Sequence, residues 1–433
     1  MNVNSIEYRR NIEVKGYTDV LVVGGGPSGI AAAVSAALAQ RTLGGKTTLI
    51  ELSGTFGGMS TLAGVPELMN FDDGRNFIAR GFGERVYYSL YDTCEYRREW
   101  KLVRTERLKR LYDDLAAESG VDFRFYSRAV DVITEDGRIK YVVISSPEGL
   151  WALECGAVVD CTGSGEISAL AGADYDYGDE NGVTMPATLC SLWGGVDFSK
   201  KGRDADHYER AYADGVFSKY DTCLPGIKPT YPEVGVGSAN AGHAFAVDDR
   251  DSKSLTAAMV DSRRQLDEYE RFYHGYVPGC DGAVLMDSAN FLGIRESRRI
   301  RCESTLSERD YFNTADTEDS IGRYSYPIDI HPMTPDKDGM EGFDRSVARK
   351  HSDGESYSIP YGALVPKGVD NLLVAGRSIG ADRAMQASVR VIPGCYVTGQ
   401  AAGVGAALCA SRGEVAKYIS PKLIRSTLAE IYS

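Results

Sequence analysis

Apolar residues along this chain form several short continuous runs that are separated by glycines and by helical patterns. Residues 20–23 (VLVV) are a run of the kind found in a buried parallel strand, and the Ala-rich segment 30–40 predicts a helix directly after it. A second run ends at Glu51, and two more, 157–161 and 372–375, each precede a glycine turn. Strands that alternate with helices in this way predict an α/β fold with a parallel sheet.

Three further patterns extend this prediction. Residues 107–120 have helical periodicity and end at a glycine, and 121–155 predict short strands with a hairpin turn at EDGR. The segment RRQLDEYERFYHGY predicts an amphipathic helix, for which a solvated helix with an aromatic core face is the simplest interpretation. The short strands and the hairpin turn predict a β-meander.

The glycines after the first strand form a motif with a specific spacing. Gly24, Gly26 and Gly29 make G-x-G-x-x-G between a strand and a helix, and Glu51 closes the next strand. This is the dinucleotide-binding fingerprint in its required context. Gly24 would permit the turn, Gly26 would let the backbone approach a pyrophosphate, and Gly29 would let the helix pack on the strand. Glu51 would accept hydrogen bonds from an adenosine ribose.

Composition and charge narrow the function classes. The 433 residues carry a net charge of -13, which argues against a nucleic-acid or anionic-membrane partner. The N-terminus lacks the pattern of a secretory signal, and no apolar run has the length of a membrane span. The nine cysteines are dispersed and form no C-x-x-C pair. These features predict a cytoplasmic protein without disulfides, and no metal site is predicted.

Several motifs together resemble one family. VVGGGPSG, LIE, GGMST, VVDCTGSGE, NLLVAGR and VRVIPGCYVTGQAAG occur in the order found in FAD-dependent oxidoreductases whose cofactor domain resembles that of glutathione reductase. GIRESRRI and YPIDIH, which lie between them, also resemble this family. The resemblance implies an oxidoreductase with non-covalently bound FAD.

The resemblance also implies how FAD would lie. Its AMP end would sit at the G-x-G-x-x-G turn and Glu51, its flavin end would lie near Gly57 to Thr61, and the C-terminal helix would point its N-terminus at the pyrimidine side of the flavin. A helix N-terminus stabilises the negative charge of reduced flavin. The residues implied to contact FAD are Gly24, Gly26, Pro27, Ser28, Gly29, Glu51, Gly57, Gly58, Met59, Ser60, Thr61, Val130, Thr162, Gly163, Gly376, Arg377, Arg390, Val391 and Ile392.

The resemblance implies two domains, each built from separated segments. Residues 15–66, 103–178 and 365–433 would form a Rossmann-like FAD-binding domain, a parallel sheet with a β-meander. Residues 67–102 and 179–364 would form an inserted α+β substrate or cap domain that covers the flavin.

Catalytic candidates come from the predicted cap domain. Arg295 and Arg298 in GIRESRRI form either a solvated basic face or, as the resemblance suggests, a site for a substrate carboxylate or hydroxyl. His331 in YPIDIH is either a structural hydrogen-bonding residue or the acid/base of the reaction.

Two absences limit the chemistry. No C-x4-C pair follows the Glu51 strand, which makes thiol–disulfide chemistry improbable, and no second G-x-G-x-x-G follows a strand, so a dedicated nicotinamide domain is not predicted.

The favoured function is hydride transfer between the flavin N5 and a small polar organic substrate, with an unidentified second electron donor or acceptor. The alternatives are an NAD(P)H-using flavin monooxygenase and a non-catalytic FAD electron-relay subunit.

Overall fold

The computed structural model describes residues 6–223 and 226–433, which contain fifteen strands and eleven α-helices. The strands are β1 (Glu13–Val23), β2 (Thr47–Ile50), β3 (Asp122–Arg124), β4 (Arg128–Glu135), β5 (Arg138–Ser146), β6 (Gly149–Asp160), β7 (Tyr175–Tyr177), β8 (Ser191–Gly194), β9 (Ile227–Tyr231), β10 (Val236–Ala239), β11 (Val284–Ser288), β12 (Arg298–Ile300), β13 (Ser320–Tyr324), β14 (Tyr357–Pro360) and β15 (Leu372–Val374). The α-helices are α1 (Pro27–Leu43), α2 (Phe82–Tyr91), α3 (Thr105–Ser119), α4 (Glu166–Leu170), α5 (Ala205–Ala213), α6 (Ser252–Tyr276), α7 (Glu308–Phe312), α8 (Lys337–Val347), α9 (Arg383–Val389), α10 (Ile392–Arg412) and α11 (Pro421–Ile431).

The largest sheet has seven strands in the order β3-β2-β1-β6-β5-β4, and β15 also pairs with β6. Strands β1, β2, β3, β6 and β15 pair in parallel. Strands β4, β5 and β6 form an antiparallel meander whose last strand continues into the parallel part. The fold is therefore α/β and Rossmann-like, with the predicted meander, and the hairpin turn at EDGR is confirmed.

Two apolar helices cover one face of this sheet. Helix α1 is buried along most of its length, and α10 packs against it. Both are rich in Ala and Gly, so their backbones approach closely: a Cβ at Gly403 would lie 2.1 Å from the main-chain oxygen of Ala32. The predicted C-terminal helix thus exists, and its first residue is Ile392.

A second apolar core lies around a four-stranded antiparallel sheet. The strand order is β11-β8-β10-β9, and α6 packs on β11. The aromatic face of α6, which includes Tyr269, Phe272 and Tyr273, is buried in this core with Trp193. The predicted helix 263–276 is the second half of α6, which begins eleven residues earlier at Ser252.

The two sheets and their cores can be compared with the predicted FAD-binding and cap segments. The division into two domains stays a prediction. Apart from Glu13 and Val14 at the start of β1, the strands of the seven-stranded sheet fall in the segments predicted to bind FAD, and those of the four-stranded sheet fall in the predicted cap. However, Phe82, Tyr87, Tyr324 and Tyr357, from the predicted cap, share the core of α1 and α10. The structural support of the Rossmann-like sheet therefore reaches beyond the three predicted segments.

Within the described residues, no single helix is long and apolar enough to cross a membrane. The consecutive helices α9 and α10 reach the required length and apolarity only as a pair, and they are bent by 95° at the break between them.

Candidate functional site

A cavity of about 550 Å³ opens where the parallel strands end. Strands β1, β2, β6 and β15 run in the same direction, so the residues after each strand meet at one edge of the sheet. Gly24, Glu51, Cys161 and Gly376 occupy those positions, and all four line the cavity. The carboxyl edge of an open parallel sheet is where such folds bind ligands.

The three motif glycines are present for three different reasons. Gly24 has φ +93°, and a Cβ there would lie 2.6 Å from the main-chain oxygen of Cys161. A Cβ at Gly29 would lie 1.8 Å from the oxygen of Gly24, so only glycine lets α1 approach the strand. A Cβ at Gly26 would meet no atom within 4 Å, although Gly26 lines the cavity. Packing within the chain thus does not explain why residue 26 is a glycine, whereas a ligand bound close to the backbone does.

Glu51 fixes the turn as well as facing the cavity. Its Oε2 accepts a 2.7 Å hydrogen bond from the N–H of Gly25, and its Oε1 accepts one of 2.8 Å from the N–H of Ser53. A carboxylate has about four acceptor positions, so this side chain can still accept hydrogen bonds from ribose hydroxyls.

A buried carboxylate holds the Thr162–Gly163 turn. Oδ1 of Asp160 accepts hydrogen bonds from the N–H and the hydroxyl of Thr162, and its Oδ2 accepts from the N–H and hydroxyl of Ser168. Asp160 is almost fully buried at the end of β6. The turn is therefore rigidly attached to the strand that presents it to the cavity.

Two guanidinium groups line the cavity and have N–H donors without a hydrogen-bond partner among the described residues. The Nε atoms of Arg377 and Arg390 are buried and have no hydrogen-bond partner among the described residues. Arg377 lies over Gly163, where an added Cβ would be 3.1 Å from its Cζ. Burial lowers the pKa of Arg377, because a cation without a partner is costly there. Unpaired buried donors of this kind fit an anionic ligand.

The first turn of α10 also meets the cavity through Ile392 and Cys395. Its N-cap, Val391, provides no side-chain acceptor, and Pro393 lies in the first turn. The remaining N–H groups of a first turn have no partners inside their helix and carry partial positive charge. This end of the cavity therefore favours negative charge.

Most of the residues predicted to contact FAD line this one cavity. They are Gly24, Gly26, Pro27, Ser28, Glu51, Gly58, Met59, Thr162, Gly163, Gly376, Arg377, Arg390 and Ile392. The other predicted residues, which lie next to the lining, are Gly29, Gly57, Ser60, Thr61, Val130 and Val391.

The hydroxyls among these neighbouring residues serve the turn itself. Ser60 donates to the main-chain oxygen of Gly57, and Thr61 donates to that of Phe56. On β4, Arg128 and Ala129 line the cavity, while the side chain of Val130 is exposed. A contact between Val130 and FAD stays a prediction.

Part of the lining was not predicted from the sequence. The part that faces the sheet comes mainly from α6 and the segment before β12, and includes Asp249, Leu255, Thr256, Met259, Val260, Arg263, Asn290, Phe291, Leu292 and Ile294. The other unpredicted lining residues are Val23, Ile50, Leu52, Leu62, Ser127, Arg128, Ala129, Cys161, Ser164, Glu166 and Cys395. Of the lining residues from α6, only Arg263 lies in the predicted helix 263–276, which was interpreted as a solvated helix with an aromatic core face because amphipathic periodicity does not show what covers a ligand.

Behind Arg390 lies a buried polar network that contains His331. An Nη of Arg390 donates to the main-chain oxygen and to Oδ2 of Asp329, each at 3.1 Å, and that carboxylate lies 3.4 Å from Nε2 of His331. Nδ1 of His331 is 2.9 Å from Nε2 of His243, whose Nδ1 is 2.8 Å from Asp221. We define the polar network as Arg390, Asp329, His331, His243 and Asp221. It meets the cavity only through Arg390.

Charge and burial set the protonation preferences in the polar network. Burial lowers the pKa of His331 well below its usual value, and the Arg295 cation lowers it further. Burial also lowers the pKa of His243, although Asp221 opposes this. Burial alone would raise the pKa of Asp329, but His331 and Arg390 outweigh it, so that this pKa falls below the usual range.

The two predicted substrate arginines lie outside the cavity lining. Arg295 is buried and donates to the main-chain oxygen of Pro186 and to the hydroxyl of Thr188, each at 2.8 Å. Arg298 donates to the main-chain oxygen of Ser164 at 2.9 Å. Both guanidinium groups thus bind the chain itself, and a role for either in substrate binding, like proton transfer by His331, stays a prediction.

The donor set as a whole fits FAD. The sheet edge supplies an acid where an adenosine ribose would lie, and an open glycine and a helix N-terminus where a pyrophosphate would lie. Arg377 and Arg390 add buried Nε donors that have no partner among the described residues. The residues that would hold FAD are therefore those that line the cavity on the sheet side.

The match to one family model agrees with this assignment. A family model described as FAD dependent oxidoreductase matches residues 19–428. No curated protein matches the chain. Among solved structures, a geranylgeranyl bacteriochlorophyll reductase-like protein from Thermoplasma acidophilum is 16% identical, with 97% of this chain and 84% of that chain covered and a TM-score of 0.47. The p-nitrophenol 4-monooxygenase of Pseudomonas putida DLL-E4 is 11% identical, with 97% and 85% covered and a TM-score of 0.45.

Proposed function

The chain belongs to the FAD-dependent oxidoreductase family and is an enzyme with FAD as cofactor, and we propose that it transfers a hydride between the flavin N5 and a small polar organic substrate. The hypothesis of a non-catalytic electron relay is set aside with the assignment as an enzyme. The observation that carries the proposal is the position of Arg390, a partly buried cation at the cavity wall held by Asp329.

FAD supplies the redox step, because its N5 accepts or donates a hydride. The protein supplies position and charge. Arg390 and the N-terminus of α10 place positive charge at the same end of the cavity. Fixed positive charge stabilises negative charge that develops there during the reaction. Because Asp329 anchors the guanidinium, little reorganisation is needed when that charge appears.

The substrate would enter from the side of α6. Met259, Arg263, Asn290 and Phe291 line the cavity opposite the sheet. An apolar wall with one cation and one amide suits a molecule with a short carbon skeleton and a polar group. We propose Arg263 and Asn290, in place of the buried Arg295, as the first polar contacts of the substrate.

His331 has an indirect role in this proposal. It lies behind Asp329, and the group that reaches the cavity is Arg390. We also keep the expectation of a reducing, cytoplasmic compartment, because all nine cysteines are free.

The test is an anaerobic screen of small metabolites against the purified, FAD-loaded enzyme, which monitors the absorbance of oxidised flavin. Bleaching by a donor, or reoxidation of the reduced enzyme by an acceptor, with slower transfer in Arg263→Met, supports the proposal. Oxygen-dependent NAD(P)H consumption with hydroxylation of an added compound would replace it with the monooxygenase alternative. Flavin reduction that responds only to a protein partner would overturn it.

A further inference from the structure

The fold brings together three possible metal ligands that are far apart in the sequence. Sγ of Cys223 lies 3.7 Å from Nδ1 of His331, which in turn lies 2.9 Å from Nε2 of His243. All three ligand atoms lie within 4.8 Å of one another. We propose that Cys223, His243 and His331 bind a divalent transition-metal ion of the zinc type.

The distances between the ligand atoms suit such an ion. Bonds of about 2.3 Å to sulfur and about 2.0–2.1 Å to nitrogen place tetrahedral ligand atoms about 3.3–3.6 Å apart. The sulfur–nitrogen distance matches this, and the two histidine nitrogens need to separate by about 0.4 Å to admit the ion. A mixed thiolate and imidazole set selects zinc over magnesium or calcium, which require oxygen ligands.

Each histidine also has the outer partner that metal-bound histidines use. Nδ1 of His243 lies 2.8 Å from Asp221, and Nε2 of His331 lies 3.4 Å from Asp329. A carboxylate on the far nitrogen fixes the tautomer and the ring orientation of a ligating histidine. Both rings thus turn their remaining nitrogen toward Cys223 and toward each other.

A count of ring hydrogens supports the same assignment. The two contacts to Asp221 and Asp329 each need an N–H, and the contact between the rings needs a third, whereas two neutral imidazoles carry only two. A metal ion between the rings removes the need for the third hydrogen. Each far nitrogen then donates to its carboxylate, and every polar atom in the set is satisfied.

Local charges accommodate the ion. Asp221 and Asp329 contact the far nitrogens of the two histidines and offset the nearby cations of Arg295 and Arg390, whereas the Cys223 thiol is neutral in the metal-free cluster because burial raises its pKa. Metal binding releases the thiol proton, so affinity should fall as the pH is lowered. The three protein ligands leave a fourth tetrahedral position for water or a small molecule. His331 would thereby be a ligand and a positioning residue for Asp329 and Arg390, in place of the predicted proton carrier.

The first experiment measures metal content in FAD-loaded enzyme purified without chelators, then dialysed against Zn²⁺ and against metal-free buffer. We expect one equivalent of zinc, lost in Cys223→Ser and His243→Ala. The matched control is Cys280→Ser, which changes a buried cysteine outside the three-residue cluster and should retain the zinc. If these variants do not fold, Asp221→Asn keeps all three ligands and should weaken zinc about 10- to 100-fold in a chelator competition.

The second experiment replaces zinc with Co²⁺ and subtracts the flavin spectrum. We expect a thiolate-to-cobalt absorption band that Cys280→Ser keeps and Cys223→Ser removes. Wild-type enzyme that holds far less than one equivalent of zinc would overturn the proposal in favour of a third proton shared by the two rings. One equivalent that survives both Cys223→Ser and His243→Ala would overturn it in favour of a different site.

Discussion

Arg390 donates from one guanidinium nitrogen to both the main-chain oxygen and the carboxylate of Asp329, each at 3.1 Å, while its buried Nε has no partner among the described residues. One side of this side chain is therefore fixed, and the other faces the cavity. A cation anchored in this way can act on a ligand without losing further side-chain freedom. It also joins the cavity to Asp329 and the two histidines of the polar network, none of which lines the cavity.

Replacing Arg390 with methionine should lower the two-electron reduction potential of bound FAD. Loss of a charge interaction on the order of 1–2 kcal/mol corresponds to about 20–45 mV, because reduced flavin carries the negative charge that the cation stabilises. Redox titration against a dye measures the shift. Arg128→Met is the control, since Arg128 lines the cavity beside Glu166, at the sheet side. Equal shifts in both variants would contradict the position assigned to Arg390.

The motif glycines allow a matched pair of substitutions. Gly29→Ala should destabilise the apoprotein by about 1–3 kcal/mol, because the new Cβ would lie 1.8 Å from the oxygen of Gly24. Gly26→Ala should cost the apoprotein less than about 1 kcal/mol, since alanine is only a poorer N-cap, but should weaken FAD because the Cβ enters the cavity. Thermal unfolding and FAD titration separate the two effects. Unchanged FAD affinity in a folded Gly26→Ala would show that no phosphate approaches this turn.

The cofactor side of the site could be predicted from the sequence because its residues are neighbours along the chain. A strand, a glycine turn and a helix are local patterns, and the structure contains them with Pro27 at the start of α1 and Ile392 at the start of α10. FAD as the cofactor and the Rossmann-like sheet with its meander are likewise confirmed.

The catalytic side could not be predicted in the same way. His243 and His331 are 88 residues apart, and Asp329 and Arg390 are 61 apart, so no local pattern joins them. The sequence identified Arg295 as a candidate cation. It did not show that the main-chain oxygen of Pro186 and the hydroxyl of Thr188 accept hydrogen bonds from its guanidinium group. Whether an arginine is free for a substrate depends on long-range packing, which periodicity does not encode.

Glu51→Gln should weaken FAD roughly tenfold or more. The amide oxygen can accept from only one of the Gly25 and Ser53 N–H groups, which now donate to different carboxylate oxygens, and the ribose hydroxyls also lose a charged acceptor worth about 1.5–3 kcal/mol. Flavin fluorescence titration of the apoprotein measures the dissociation constant. Glu166→Gln removes another carboxylate of the cavity wall and should change it less. The adenosine end would be misplaced if the two variants weakened FAD equally.

Cys395 should be chemically inert although it lines the cavity. Burial raises the pKa of its thiol to about 12, so the group is neutral at every pH below that value and becomes a thiolate only above it. At pH 8 about one molecule in ten thousand carries the reactive thiolate. Brief treatment with iodoacetamide at pH 8 should therefore label the exposed Cys94 and leave Cys395 unmodified, as peptide mass spectrometry will show.

Cys395→Ser should also leave the rate of flavin reduction unchanged, because the Cys395 sulfur only donates to the main-chain oxygen of Arg390 at 3.0 Å and a hydroxyl can do the same. Rapid labelling of Cys395, or loss of flavin reduction in Cys395→Ser at constant FAD content, would instead assign a thiol to the chemistry.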